Sequence, residues 1–297
     1  MWKTVEQYGI PIKLINIMKV FYANSKCCIK IENGLSKPFS IKTGIRQGCI
    51  LSPFLFMIAI DYGLKQCDSD TYGLKWNNSR LFDLDFADNI ILISEDANGL
   101  QKCTNQIKEV MEKIGLRYNA KKCKVILMAT IGTEIKIEEE KVDYLTYLGS
   151  TISQDGTSSK EIRRRIGKAN AVFRRLKNIW QLKNISLKTK LNVYKATVIA
   201  ITTSSSETWQ LSKIDTQKLD AFHHKCVRTV LGITYRDRKT NKEVRKITGQ
   251  DTLSQIIYKR RHQWLGHVLR MEKECLPNTT LEWKPQETQE EREEDHK

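Results

Sequence analysis

The sequence lacks several patterns that would assign it to common protein classes. Its eight cysteines include no C-x-x-C pair, which argues against a zinc ribbon and against a dense disulfide framework. The first residues contain no apolar h-region, so no signal peptide is predicted. The longest apolar run, Phe54 to Ile60, is too short to cross a bilayer, and there is no internal repeat. We therefore expect reduced thiols in an intracellular protein, nuclear or cytoplasmic, without a membrane partner.

Negative charge is scarce in most of the chain. Fifty Lys and Arg residues against 34 Asp and Glu residues leave a net charge of +16. Residues 285–297 contribute −4 to this value, so residues 1–284 carry +20. A field of this sign attracts polyanions, which makes nucleic acid the leading expected partner and an acidic membrane surface the second. A basic surface that is only well solvated is the alternative.

The N-terminal part of the chain shows both helical and extended patterns. Residues 1–25 have the periodicity of an amphipathic helix, with a break at Gly9. Residues 26–43 are typical of a hairpin that turns at Asn33-Gly34. These elements indicate a mixed, α+β architecture.

The next segment carries the strongest strand signal. Ser52-Pro53 predicts the start of a deeply buried helix that ends near Cys67. Residues 81–94 predict two strands joined by a tight turn, and residues 96–117 predict a helix. Further strands are expected at residues 123–128 and 144–152.

The pattern changes after Gly156. Residues 160–190 contain eleven basic side chains and one acidic one, with apolar positions on a single face, which predicts a basic amphipathic helix. We place a boundary near residue 155, with a helical region over 156–275. Residues 276–297 are expected to form an acidic, disordered tail.

The predicted turn has the sequence Phe86-Ala87-Asp88-Asn89. A carboxylate at the tip of a hairpin is held rigidly, where it can bind a divalent metal. Mg²⁺ prefers several converging oxygen ligands. The alternative is an ordinary turn, because Asp and Asn are frequent in turns for local hydrogen-bonding reasons.

Residues 44–56 have the sequence G-I-R-Q-G-C-I-L-S-P-F-L-F, and D-F-A-D follows at residues 85–88. This ordered pair resembles the reverse transcriptases of non-LTR (LINE-type) retrotransposons. Weaker matches to the family follow in order at residues 115–123, 147–150, 207–209, 223–226 and 264–271. The resemblance covers the chain to about residue 284. It implies a polymerase palm with partial fingers over residues 1–155, then an all-helical thumb and a C-terminal helical extension.

The resemblance also implies roles for individual residues. The parent reaction would be RNA-directed DNA synthesis with two Mg²⁺ ions, a dNTP, and an RNA or RNA/DNA template–primer. Asp88 would be the catalytic metal ligand, Asn89 would occupy the second metal-binding position, and Lys122 would assist departure of pyrophosphate. The residues implied to contact substrate, template or primer are Arg46, Gln47, Gly48, Phe86, Tyr147, Leu148 and Gly149.

Two departures from the family predict that this chain is inactive alone. The family carries another essential aspartate upstream of a segment like Met1-Trp2-Lys3, and its second hairpin aspartate is Asn89 here. Only Asp88 of three expected carboxylates remains, so weak or absent Mg²⁺ binding is expected. Asp83 and Asp85 are expected to be solvated or paired on one sheet face. The alternative functions are a non-catalytic nucleic-acid-binding scaffold that retains the basic thumb, and an inert product that folds poorly.

The basic segment fits a thumb helix that contacts the backbone of a template–primer duplex. The candidate nucleic-acid-binding residues are Arg163, Arg164, Arg165, Lys168, Arg174 and Arg175. The alternative is a solvated face of a structural helix.

A zinc site is a weaker hypothesis for the C-terminal half. Its candidate ligands are His223, His224, Cys226, His262, His267 and Cys275. Their spacing fits no standard finger. Packing between two helices is the simpler interpretation of residues 222–230 and 264–269.

Overall fold

A computed structural model describes residues 1–23, 25–32, 34–41, 44–67, 73–76, 79–128 and 140–283. The chain divides into two compact units. The first unit contains Met1–Cys123 and Glu140, and the second contains residues 124–128 and the described residues from Lys141 onward. The sequence places the palm–thumb boundary later, near residue 155, and that functional assignment stays a prediction.

The first unit combines helices with short antiparallel strand pairs. Its helices are α1 (Trp2–Gln7), α2 (Ile12–Tyr22), α3 (Leu51–Lys65) and α4 (Ala97–Lys113). Its strands are β1 (Lys26–Cys27), β2 (Lys30–Ile31), β3 (Gly34–Leu35), β4 (Phe39–Ser40), β5 (Leu74–Trp76), β6 (Ser79–Leu81), β7 (Asp83–Phe86) and β8 (Asn89–Leu92). The pairs are β1–β4, β2–β3, β5–β6 and β7–β8. The break predicted at Gly9 separates α1 from α2, and the predicted turn joins β2 to β3 although Asn33 lies outside the described residues.

Helix α3 differs from its prediction at both the start and the surface. It begins at Leu51, so Ser52 lies within the first turn and is buried, with its hydroxyl 2.9 Å from the Tyr22 hydroxyl. Ser52 is therefore not the N-cap. Phe54 and Met57 are exposed, so the prediction that this helix is buried on nearly every side was wrong.

Two apolar clusters form the core of the first unit. One joins α1, α2 and the start of α3 through Val5, Ile15, Met18, Leu55 and Ile58. The other joins α3 to α4 through Ile60, Leu64, Cys67, Cys103, Ile107 and Met111. Ile90 and Leu92 of β8 pack against the second cluster, which anchors the β7–β8 hairpin on the two helices.

The second unit is mainly helical. Two further strands, β9 (Lys124–Val125) and β10 (Glu140–Lys141), pair with each other, and the hairpin β11 (Tyr144–Tyr147) and β12 (Ser150–Ser153) follows. The helices are α5 (Ser159–Arg175), α6 (Lys177–Gln181), α7 (Leu187–Tyr194), α8 (Ala200–Thr202), α9 (Lys213–Leu231), α10 (Asn241–Thr248), α11 (Leu253–Val268) and α12 (Leu276–Glu282).

The predicted basic helix over residues 160–190 is three helices, α5, α6 and the start of α7. The reason is local, because Ser186 caps α7 by accepting a hydrogen bond from the backbone nitrogen of Thr189 at 3.2 Å. A large apolar cluster then joins α5 through α11, with Phe173, Tyr194 and Leu219 among its buried members.

The end of the described chain is helical where a tail was predicted. Helix α12 covers Leu276–Glu282, and Pro277 lies near its start, where a missing backbone N–H costs little. The disorder predicted for residues 276–282 is therefore wrong, and residues 284–297 lie outside the described residues. Within the part of the chain that the structure describes, none of the helices is both long enough and apolar enough to span a membrane.

Candidate functional site

The hairpin that contains Asp88 has the geometry that the sequence predicts. Phe86 pairs with Asn89, so Ala87 and Asp88 form a two-residue turn. Ala87 has a φ of +56°, a left-handed conformation that tight hairpin turns require. Phe86, Asp88 and Asn89 are exposed. The turn therefore presents one carboxylate and one amide to solvent.

The donor set at this tip fits a divalent cation only in part. The Asn89 side chain donates from Nδ2 to Oδ1 of Asp88 at 3.2 Å, so the amide nitrogen faces the carboxylate. A metal would need the amide oxygen instead, which contributes no charge. Among the described residues no group of three His, Cys, Asp or Glu side chains is arranged to hold a metal ion.

Asp83 and Asp85 lie on the strand before the turn. They pair with Leu92 and Ile90, and therefore share the sheet face that packs on α3 and α4. Burial raises the pKa of Asp83, and the charges of Asp85 and Asp61 raise this pKa further. Asp83 therefore lies on the packed face of the hairpin, at the end away from the tip.

Arg46, which the resemblance places near template and nucleotide, is anchored within its own unit. Its guanidinium donates to the Ser25 hydroxyl from Nε at 3.2 Å and from Nη2 at 2.5 Å, and it lies 5.7 Å from the ring centre of Tyr22. Gln47 and Gly48 are exposed in the following turn, where Gly48 has a φ of +80°. This segment is held against α2 with its turn open to solvent.

Lys122 is exposed in a short 3₁₀ turn, Ala120–Lys122. Its backbone nitrogen donates to the carbonyl of Asn119 at 2.9 Å. In the described part of the chain, the side chains of Asp88, Arg46 and Lys122 make no hydrogen bonds with one another. Their convergence on one substrate stays a prediction.

The β11–β12 hairpin also closes through a two-residue turn. Tyr147 pairs with Ser150, which leaves Leu148 and Gly149 at the tip. Their φ values are +46° and +82°, so both residues are left-handed, as in a type I′ turn. Gly149 adopts this conformation readily, whereas Leu148 does so at an energetic cost.

The turn is bound to α5 by a polar network centred on Glu161, which is 2% exposed. The Glu161 carboxylate accepts hydrogen bonds from Thr151 N at 3.0 Å, Arg164 Nε at 2.9 Å and Arg165 Nε at 2.5 Å. Arg165 also donates from Nη2 to the Gly149 carbonyl at 2.9 Å, and Arg164 donates to the same oxygen. The two arginines therefore tie the hairpin tip to the helix.

Burial alone raises the pKa of Glu161, but the hydrogen bonds from Thr151, Arg165 and Arg164 outweigh burial and leave this pKa below its ordinary value. Glu161 is therefore charged in the folded protein at neutral pH. Its charge balances one of the two arginines within a site that is largely closed to water.

The six basic candidates on α5 thus differ in accessibility. Arg163, Lys168, Arg174 and Arg175 are exposed, Arg164 is partly buried and Arg165 is buried. From the sequence all six are candidates for nucleic-acid binding, and the network through Glu161 is not predicted. The spacing of Glu161 to Arg164 and Arg165, three and four residues, is the signal that could have identified it.

The candidate zinc ligands make other contacts. The Nδ1 atom of His223 is 2.9 Å from the Tyr194 hydroxyl, and Nε2 of His224 is 3.1 Å from an Arg245 nitrogen. His262 contacts the Tyr258 carbonyl, and the His267 ring lies beside that of Trp264. Trp264 is exposed, so only part of its predicted helix packing is present.

The β7–β8 hairpin and all but the last residue of the β11–β12 hairpin lie within residues that match a known family. Residues 2–152, just over half of the chain, match the reverse transcriptase (RNA-dependent DNA polymerase) family. The chain therefore belongs to the reverse transcriptase family.

The chain is also similar to proteins of mobile elements. It is 28% identical over 226 residues to an uncharacterized transposon-derived protein of Caenorhabditis elegans, which covers 71% of this chain and 80% of that protein. It is 29% identical over 147 residues to the retrovirus-related Pol polyprotein from type-1 retrotransposable element R2 of Nasonia vitripennis, 50% of this chain and 14% of that protein.

A third relative is the retrovirus-related Pol polyprotein from type-2 retrotransposable element R2DM of Drosophila melanogaster. It is 29% identical over 122 residues, which cover 41% of this chain and 11% of that protein. The chain thus spans most of the first relative and only a small part of the two polyproteins. Together the matches confirm the resemblance to non-LTR retrotransposon reverse transcriptases.

Proposed function

We propose that this chain is the nucleic-acid-binding core of an RNA-directed DNA polymerase, with a template–primer duplex and a dNTP as its substrates. The observation that carries the proposal is Asp88, at the tip of a two-residue hairpin inside the region matched to the family. Mg²⁺, when bound, would activate the primer hydroxyl and stabilise the nucleotide phosphates. Asp88 would hold it, with the amide oxygen of Asn89 as a weaker ligand.

The other candidate residues have the roles that the family resemblance implies for them. Arg46, Gln47, Gly48 and Phe86 would contact template and nucleotide, and Lys122 would donate a proton to departing pyrophosphate. Tyr147, Leu148 and Gly149 would steady the primer, which is consistent with the rigid attachment of their turn to α5.

We propose that the chain has no polymerase activity alone, because Asn89 leaves the tip with a single negative charge. Primer extension on poly(rA)/oligo(dT) with Mg²⁺ or Mn²⁺ should show no incorporation. Incorporation that is abolished by Asp88→Ala would contradict this proposal.

A second experiment tests which side chains at the hairpin tip bind the metal. Asn89→Asp places a second carboxylate beside Asp88, so Mn²⁺ affinity measured by electron paramagnetic resonance should rise at least about tenfold, since hard cations prefer charged oxygens. The double variant Asp88→Asn with Asn89→Asp is the control with unchanged net charge. Equal Mn²⁺ affinity in all three proteins would remove Asp88 from the metal site.

Duplex binding is proposed for the exposed face of α5. Arg163, Lys168, Arg174 and Arg175 are available to phosphates, whereas Arg165 is engaged inside the protein. Such contacts give affinity without sequence choice. We propose that Arg164 and Arg165 support duplex binding chiefly by holding the primer-side turn.

The test compares charge losses of equal size. Arg163→Ala with Arg174→Ala should weaken binding of an RNA/DNA duplex about tenfold at low salt, measured by fluorescence anisotropy. Lys242→Ala with Lys246→Ala removes the same charge from exposed positions of α10 and should have little effect. Equal losses of duplex affinity in the two variants would indicate that the duplex is attracted by the net positive charge of the protein and not by a site on α5.

A non-catalytic scaffold is the second candidate function, favoured by the charge of the second unit. Residues 141–283 contain 28 basic and 12 acidic side chains, a net charge of +16. Tight duplex binding that is unchanged by Asp88→Ala and by added dNTP would favour the scaffold over the polymerase core.

A further inference from the structure

A surface of the C-terminal helices combines exposed rings with positive charge. Residues 253–270, α11 with the two residues after it, contain four basic side chains and no acidic one. Leu253 and Ile257 pack into the core on one side of this helix. Tyr258, on another side, is 64% exposed. The sequence does not assign any role to this side of the helix.

Tyr258 and His262 form a ring pair on this surface. Their ring centres are 4.0 Å apart with an angle of 44° between the planes. The Nδ1 atom of His262 is 2.9 Å from the Tyr258 carbonyl oxygen, and it must donate because that oxygen only accepts. This bond fixes the imidazole beside the phenol ring. The pair is therefore preorganised, which lowers the entropy lost on binding a ligand.

An open cavity of about 480 Å³ adjoins the pair, lined by Asp251, Ser254, Gln255, Tyr258 and Lys259. The cavity is open to solvent, so it can be reached from the surface. The Asp251 carboxylate is 2.6 Å from the Lys259 ammonium group, so its charge is compensated within the cavity wall. Polar side chains capable of contacting a base edge thus lie beside the exposed ring.

We propose that this surface binds single-stranded nucleic acid, with a base stacked on the Tyr258–His262 pair and its phosphates near the basic side chains of α11. An exposed ring suits an unpaired base, because bases in a duplex already stack on one another. Lys259 is paired with Asp251 and Arg260 with Glu207, so charge complementarity to a polyanion comes from Arg261, Arg270 and the net charge of +16 over residues 141–283. The surface is separate from the duplex-binding face proposed for α5 and does not depend on it.

The experiment measures binding of the whole chain to a labelled twelve-residue oligouridylate by fluorescence anisotropy. Tyr258→Ala should weaken binding about fivefold or more, as expected for loss of one base–aromatic stack. Tyr258→Phe keeps the ring and should bind within about twofold of the unchanged protein. Ile214→Ala is the matched control, because Ile214 is 62% exposed on α9 and lies in no ring pair.

Duplex binding separates this inference from the proposed function. Tyr258→Ala should leave RNA/DNA duplex affinity unchanged, whereas Arg163→Ala with Arg174→Ala should reduce it. The inference is overturned if Tyr258→Ala binds oligouridylate normally, or if Ile214→Ala weakens binding equally. It is also overturned if sedimentation shows that Tyr258→Ala disrupts self-association instead of RNA binding, since the surface would then be a protein interface.

Discussion

At the scale of single residues, Glu161 links the turn of the β11–β12 hairpin to α5. Its carboxylate accepts from the backbone of Thr151 and from two arginines that also bind the Gly149 carbonyl. Removing one partner of a buried ion pair leaves the other charge without compensation. The position of the turn therefore depends on a side chain that is itself buried.

Glu161→Ala should lower the free energy of unfolding by about 3–5 kcal/mol, because Arg165 would stay buried without its carboxylate. Urea denaturation followed by circular dichroism measures this change. Glu274→Ala, at an exposed position of the same unit, should change stability by less than about 0.5 kcal/mol. A similar small effect for Glu161→Ala would show that the network contributes little.

His223 gives the chain a predictable sensitivity to acid. Burial, with a smaller contribution from the nearby charge of His224, lowers its pKa to about 4. The unfolded chain binds the proton with a pKa near 6.5, so stability from neutral His223 is complete above that pH. This stability is lost as the pH falls from 6.5 towards 4, because only the unfolded chain takes up the proton.

Between pH 7 and pH 4.5, His223 should account for a loss of about 2–3 kcal/mol. His223→Gln keeps a neutral polar partner for Tyr194. Over the same pH interval its loss of unfolding free energy should be about 2–3 kcal/mol smaller than that of the unchanged protein, measured by urea denaturation at each pH. His262→Gln, at an exposed position, should lose stability as the unchanged protein does. Identical pH profiles for all three proteins would contradict the assignment.

At the scale of elements, the two hairpins show how turn geometry constrains the candidate site. Leu148 is exposed and left-handed at the first position of a turn that favours Asn-Gly. Leu148→Asn should therefore raise the free energy of unfolding by about 0.5–1 kcal/mol. Leu148→Val, whose branched side chain tolerates this conformation poorly, should lower it. Thermal denaturation measures both, and destabilisation by Asn would contradict the turn assignment.

The sequence predicted the β7–β8 hairpin because its information is local: apolar residues flank a tight turn at Ala87-Asp88, which defines the pairing of Phe86 with Asn89. Over residues 144–152 the residue pattern predicted only strand, so the turn at Leu148-Gly149 that pairs Tyr147 with Ser150 did not follow from it. The division of residues 160–190 into three helices was not predicted, because the basic and apolar periodicity continues past Arg175 while the break depends on local capping at Ser186.

The candidate site was predicted less completely than its hairpins. The sequence identified Asp88 and Asn89, but it could not show that Arg46 is bound to Ser25 or that Arg165 is buried. Both facts depend on contacts between residues distant in the chain or on which side of a helix faces the core. Charge alone therefore predicted a nucleic-acid partner without separating accessible arginines from structural ones.

At the scale of the whole molecule, positive charge is concentrated in the second unit. Residues 141–283 carry +16, whereas residues 1–140 carry +3. The unit that contains α5 and α11 therefore supplies most of the attraction for a polyanion. The unit that contains Asp88 is close to neutral, so the proposed duplex-binding face and the proposed metal ligand lie in parts of the chain that differ in charge.

This separation predicts the salt dependence of duplex binding. If the four exposed basic side chains of α5 contact phosphates, the logarithm of the association constant should fall with the logarithm of salt concentration with a slope of about −3.6. Affinity would then fall about 150-fold between 50 and 200 mM salt. Arg163→Ala with Arg174→Ala should reduce the slope by about 1.8, while Asp88→Ala should leave it unchanged. A slope that responds to Asp88→Ala as strongly as to the arginine changes would place the duplex against the first unit instead.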